Sequence, residues 1–143
     1  MQNDTVKLLC ECNAGIKMGE DAIKKVLPLT KSSELKNALE VSKNTHAALG
    51  DETHAMLKSL GEEPKDPHPI ARVMSGMKIR TKMMINQSDR TVADLMTDGC
   101  DMGIKSLSHY LNEYKSADKE AKNLAKRIIA SEEYLETRIR DFL

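Results

Sequence analysis

The chain has 143 residues, enough for about one domain that buries roughly two-thirds of its unfolded surface. Its 22 basic and 22 acidic residues cancel, which removes the electrostatic drive toward nucleic acid or anionic lipid. No apolar run approaches the ~20 residues that span a bilayer, and a composition with no Trp, one Phe, three Tyr and nine Met points to an all-α domain with an aliphatic, Met-rich core.

Period-3.6 apolar stripes and their punctuation define the expected helices. A first helix is predicted over about 4–27, with Leu9, Cys12, Ile16, Ile23 and Leu27 on one face and Pro28 ending it. Ser32 and Ser33 offer N-caps for a second helix to about residue 60. Its stripe reads Leu35, Leu39, Ser42, His46, Leu49, Thr53, Leu57 and Leu60. Gly61 then fits a C-cap, and Pro64, Pro67 and Pro69 stiffen the connection that follows. A shorter helix is expected over about 70–85, with Ile70, Val73, Met74, Met77 and Met84 on one side. Asn86-Gln87-Ser88-Asp89 breaks it, and Ser88 is placed to cap a long helix over about 90–114. That helix carries Met96, Cys100, Ile104, Leu107, Leu111 and Tyr114. After the polar link Ser116-Ala117-Asp118, a last helix carries Ala121, Leu124, Ala125, Ile128, Leu135, Ile139 and Phe142.

These elements make a single domain over 1–143: one hairpin at 4–62, a crossover with a short helix at 63–89, and a second hairpin at 90–143. Short links force antiparallel neighbours, and the long link lets the second hairpin lie beside the first. A short repeat matches this plan. Cys12-Asn13-Ala14-Gly15-Ile16-Lys17 reappears as Cys100-Asp101-Met102-Gly103-Ile104-Lys105, once in the inner helix of each hairpin. Gly15 and Gly103 are therefore expected to let those two helices approach closely. The opening Met1-Gln2-Asn3-Asp4 has neither the basic nor the apolar region of a signal peptide. Three cysteines set in helical patterns cannot all pair internally, so a cytoplasmic chain with reduced thiols is expected.

The paired Cys-x-x-Gly segments and the turn Leu60-Gly61-Glu62-Glu63-Pro64 resemble bacterial ferritin-like domains of the ferritin and rubrerythrin superfamily. They are most similar to a small family of unknown function with Cys-x-x-Gly-Glu in both inner helices and a Leu-Gly-Gly-Glu-Pro turn. The resemblance implies an antiparallel ferritin-like four-helix bundle. It also implies a di-iron site built from one Glu on each of two helices and a Glu-x-x-His pair on each of the others. Here the inner-helix glutamates fall on Ile16 and Ile104, and no Glu-x-x-His occurs. The nearest substitutes are Asp51-x-x-His54 and Glu133-x-x-Glu136, so the usual two-metal centre is not expected.

Three polar residues nonetheless interrupt the stripes: Glu20 between Ile16 and Ile23, His46 between Ser42 and Leu49, and Glu132 between Ile128 and Leu135. Counting ~1.5 Å per residue from the hairpin links puts His46 and Glu132 at the height of Ile16 and Ile104, with Glu20 about one turn away. A buried carboxylate requires a cation, a metal or a proton. Two readings follow. In one, Glu20, His46 and Glu132 hold a single Zn, Fe or Mn ion in a reduced metal or redox site. In the other, no metal binds and a protonated His46 sits between carboxylates as a structural polar cluster, with Glu20 either part of it or at the bundle edge reaching water. His54 and His109 lie off the stripes and are expected in solvent, His68 in a loop, and Cys12 and Cys100 as small apolar core residues. No phosphate loop, nucleophile elbow or Cys-x-x-Cys pair occurs. The reading that best fits is a non-catalytic binding or assembly module. Its partner would be a second copy of the chain or another helical protein, met through the Met74–Met84 stretch unless that stretch covers its own bundle.

Overall fold

The computed structural model describes residues 2–64, 79, 82–83 and 86–143. Among them the chain is all helix, with four long helices packed on one another: α1 Gln2–Val26, α2 Ser33–Ser59, α3 Asp89–Glu113 and α4 Lys119–Ile139. The expected short helix over 70–85 lies mostly outside the described residues, Met74, Met77 and Met84 included. Ile79 and Met83 are described and buried against Ile23, Val26, Leu35 and Val92, so that part of the stretch covers this chain's own core. No helix among the described residues is long and apolar enough to cross a membrane.

Local chemistry fixes the helix ends. Ser32, Ser88 and Asp118 cap α2, α3 and α4, their side chains accepting from the backbone N–H of Leu35, Thr91 and Ala121. Glu34, Asp89 and Glu120 occupy the first turns of these helices, and Lys58 and Arg138 the last turns of α2 and α4, each favourable in the helix dipole. At the end of α1, Pro28 converts the last turn into a 3-10 turn, Leu27–Leu29, and the Thr30 hydroxyl donates to the Val26 carbonyl. α2 ends at Gly61, whose φ of 77° only glycine adopts without strain. The N–H groups of Gly61 and Glu62 return to the carbonyls of Lys58 and Leu57, a Schellman closure.

Two reciprocal ties join the hairpins. The Asp89 carboxylate, opening α3, accepts from the backbone N–H of Lys31 at 2.8 Å and of Ser32 at 2.9 Å, in the link after α1. Asp4 and Thr5, opening α1, accept from the N–H of Ser116 and Asp118, in the link after α3.

The core divides in two. One cluster gathers Ile23, Val26, Leu35, Leu39, Val92, Met96, Cys100, Leu135 and Ile139. The other gathers Leu8, Leu9, Cys12, Ile16, Leu49, Leu57, Leu107, Leu124 and Ile128. The gap in each stripe falls at the same level: between Ile16 and Ile23, Leu39 and Leu49, Cys100 and Leu107, and Ile128 and Leu135. The polar residues of the sequence reading occupy that level. Cys12 and Cys100 are both buried, as expected, but belong one to each cluster.

Candidate functional site

The polar layer is built around His46, which is 2% exposed, and Glu132, which is 8% exposed. His46 Nε2 lies 2.8 Å from Glu132 Oε1, and His46 Nδ1 lies 2.8 Å from the Ser42 carbonyl oxygen one turn earlier on α2. A carbonyl can only accept, so Nδ1 carries a proton. An ionised Glu132 can only accept, so Nε2 carries one as well. The ring is then an imidazolium held between a backbone carbonyl and a carboxylate. Burial pulls the imidazole toward its neutral form. The hydrogen bond and charge of Glu132, the Ser42 carbonyl and the charge of Glu20 together outweigh that, and hold the His46 pKa above its ordinary value.

The backbone closes round this pair. A Cβ on Gly19 of α1 would sit 2.5 Å from His46 Nε2 and 2.8 Å from Cδ2, so only glycine leaves room for the ring at that height. A Cβ on Gly103 of α3 would meet Glu132 at 3.8 Å, and one on Gly50 of α2 would meet Ile16 at 3.4 Å and Glu20 Oε1 at 3.7 Å. At Gly103 the neighbour is Glu132 of α4 at an ordinary contact distance and not α1, so the expected close approach of the two inner helices at Gly15 and Gly103 is not found. Gly15, the counterpart of Gly103 in the repeat, has nothing within 4 Å of its Cβ position. The close approach from α1 comes one turn later, at Gly19, because that is where the imidazole crosses from α2 to α4.

Glu20 reaches the layer by charge alone. It is half-buried, and it acts on His46 without a hydrogen bond. The three residues singled out in the sequence are thus brought to one level, but only His46 and Glu132 are bonded. Among the described residues, no group of three or more His, Cys, Asp or Glu side chains is arranged to hold a metal ion. The Cys100 thiol donates to Glu132, and burial followed by the charge of Glu132 raises its pKa far above the ordinary thiol range. Burial likewise lifts the Cys12 thiol to about 12. Neither is a nucleophile at neutral pH.

One histidine falls differently from expectation. His54 is half-buried rather than solvated, because its Nε2 lies 2.8 Å from the side-chain oxygen of Asn13, itself buried on α1. His109 is in solvent, 3.2 Å from Glu113 on the same helix. His68 lies outside the described residues. Of the Glu133-x-x-Glu136 pair, Glu133 is exposed, whereas Glu136 is half-buried with its Oε1 shut away from solvent, and burial first, then the Asp101 carboxyl, hold its pKa up at about 7. Its sequence signal is the Glu133-x-x-Glu136 spacing, which marks a candidate ligand pair but not the burial of its second member.

No family model, no curated protein and no solved structure matches the chain.

Proposed function

We propose that the chain is an antiparallel, ferritin-like four-helix bundle whose cofactor level has been closed by a structural ion pair, and that it serves as a non-catalytic binding or assembly module. The observation that carries this reading is the state of His46. Both ring nitrogens are engaged by the protein, and the α1 backbone at Gly19 stands against Nε2. An imidazole so placed has no lone pair for a metal and no free nitrogen for general acid–base chemistry.

The antiparallel arrangement is supported by the reciprocal ties. The start of α3 binds the link after α1, and the start of α1 binds the link after α3. Within each hairpin, the links at 30–32 and 114–118 are too short for any other course. The pairing of hairpins about a shared polar level, with a Cys-x-x-Gly-Ile-Lys segment in each inner helix, is what supports the ferritin-like relationship. For a partner, the outer face of α3 offers a shallow depression lined by Met102, Lys105, Ser106, His109 and Tyr110, with Met102 65% exposed. A second copy of the chain or another helical protein fits such a face.

Elemental analysis of protein purified without chelator or affinity tag tests the reading. The expected result is less than one-tenth equivalent of Fe, Mn or Zn, with His46→Ala changing stability but not metal content. Stoichiometric metal that is lost in both His46→Ala and Glu20→Ala would replace this reading with a mononuclear metal or redox site at Glu20, His46 and Glu132.

A further inference from the structure

The outer helices of the two hairpins bury the same register. His46 and Glu132 lie 86 residues apart, as do the caps Ser32 and Asp118, so each stands at the same position of its own helix. At this offset every buried residue of α4 has a buried counterpart in α2: Leu35 matches Ala121, Leu39 matches Ala125 and Leu49 matches Leu135. The end ties repeat the relation, α1 holding the link after α3 as α3 holds the link after α1. An approximate two-fold axis therefore runs between the hairpins. His46 and Glu132 are equivalent under it and lie 2.8 Å apart, which puts their contact on the axis.

We propose that this contact is the charge code that makes the first hairpin pair with the second and not with another copy of itself. The inference rests on the proposed closure of this level by a metal-free ion pair. Stripes that match position for position give each hairpin two competing partners, the unlike hairpin and its own double from another chain. Side-chain shape alone separates them along the apolar stripe, whereas charge separates them at the axis, where each residue meets its equivalent. Pairing unlike hairpins brings the His46 imidazolium to the Glu132 carboxylate. Pairing two first hairpins would bring His46 to His46 of the second copy, with both Nδ1–H groups already given to Ser42 carbonyls and two Nε2 donors left face to face. Pairing two second hairpins would bury two Glu132 carboxylates against each other. Either mistake strands like charges at a level where His46 is 2% and Glu132 8% exposed. The ring also has no space in which to turn away, since the Gly19 Cβ position stands 2.5 Å from Nε2. The pair thus selects a partner more than it adds stability, and replacing both residues by apolar ones should leave the helices packed while removing the choice.

The test is refolding of the full chain from urea at rising concentration, in reductant, with the products sized by light scattering and weighed by native mass spectrometry. The wild type is expected to return to the single species it formed before unfolding. His46→Leu/Glu132→Leu is expected to be as helical as the wild type, with an equal or higher urea midpoint, but to populate additional assemblies as concentration rises. His46→Glu and Glu132→His, each with like groups at the axis, are refolded alone and together. Exchange of hairpins between the two variants makes both contacts complementary, so the mixed dimer should exceed the random proportion by about tenfold. A His46→Leu/Glu132→Leu variant that refolds to the one wild-type species at every concentration overturns the proposal. So does a mixture of the single variants with no excess of mixed over like dimers, a result that stands even if the apolar variant fails to fold. Elemental analysis of the same wild-type preparation reports on the metal-free reading separately, so either overturning result in metal-free protein rejects the pairing code alone.

Discussion

At the scale of single residues, the account turns on how little room surrounds His46. Gly19→Ala would place a methyl group 2.5 Å from Nε2, so the ring or the helix must move. We expect it to destabilise the fold by about 1–3 kcal/mol, the usual range for overpacking a tight core. Gly15→Ala, one turn earlier with open space around it, should instead stabilise by about 0.5–1 kcal/mol through helix propensity. Urea unfolding of the two variants gives opposite signs if the close approach lies at Gly19. The sequence favoured Gly15, because the repeat pairs it with Gly103. A repeat marks positions on the same helix face, but not the level at which a side chain from a third helix crosses. His46 and Glu132 themselves were legible, since each is the one titratable side chain on the apolar stripe of its helix. A double-mutant cycle separates their roles. His46→Met or Glu132→Met alone leaves one partner of a buried pair unmet and should cost about 3–5 kcal/mol, whereas the double variant should cost less than the sum of the two.

At the scale of elements, the helices were written plainly in caps and stripes, and the structure follows Ser32, Ser88 and Gly61. Asp118 had been read only as part of a polar link, yet its carboxylate caps α4 at 2.9 Å from the Ala121 N–H. Asp118→Ala should lower stability by about 1 kcal/mol, read as a drop in the urea midpoint. The ties between hairpins were not legible. A carboxylate at a helix start reads as a dipole partner, and nothing in the one-dimensional pattern says that Asp89 also holds the link at 31–32. Asp4→Ala together with Asp89→Ala should therefore destabilise by more than two lost first-turn charges, about 0.3–1 kcal/mol each, would explain. The exposed bidentate pair between Arg127 and Glu52 joins α2 to α4, but lies in solvent and should contribute under about 1 kcal/mol. His54 and Glu136 escaped the stripe analysis for one shared reason: each lies on the flank of its helix, where the neighbouring helix, not periodicity, decides burial.

At the scale of the whole molecule, a polar level divides the apolar core in two, and that division sets the pH behaviour. Because the folded-state pKa of His46 is raised, its contribution is fully present below the unfolded value of 6.5 and is lost as pH rises through the folded value. Glu136 acts with the same sign. An acid kept protonated in the fold binds more protons than the unfolded chain between 4.5 and about 7, so stability declines as pH rises across that interval. The protein should accordingly be more stable at pH 5.5 than at pH 8, contrary to the usual case of carboxylates stabilised by ion pairs. The central claim is that the middle of the bundle is occupied by a closed imidazolium–carboxylate pair. Long-range proton–nitrogen NMR of the histidine rings tests it most directly, in protein prepared without chelator and again after adding EDTA. The account predicts that both His46 nitrogens carry protons at pH 7 and that EDTA leaves their signals in place. A single-tautomer neutral ring, or a His46 nitrogen that shifts when EDTA is added, would contradict it.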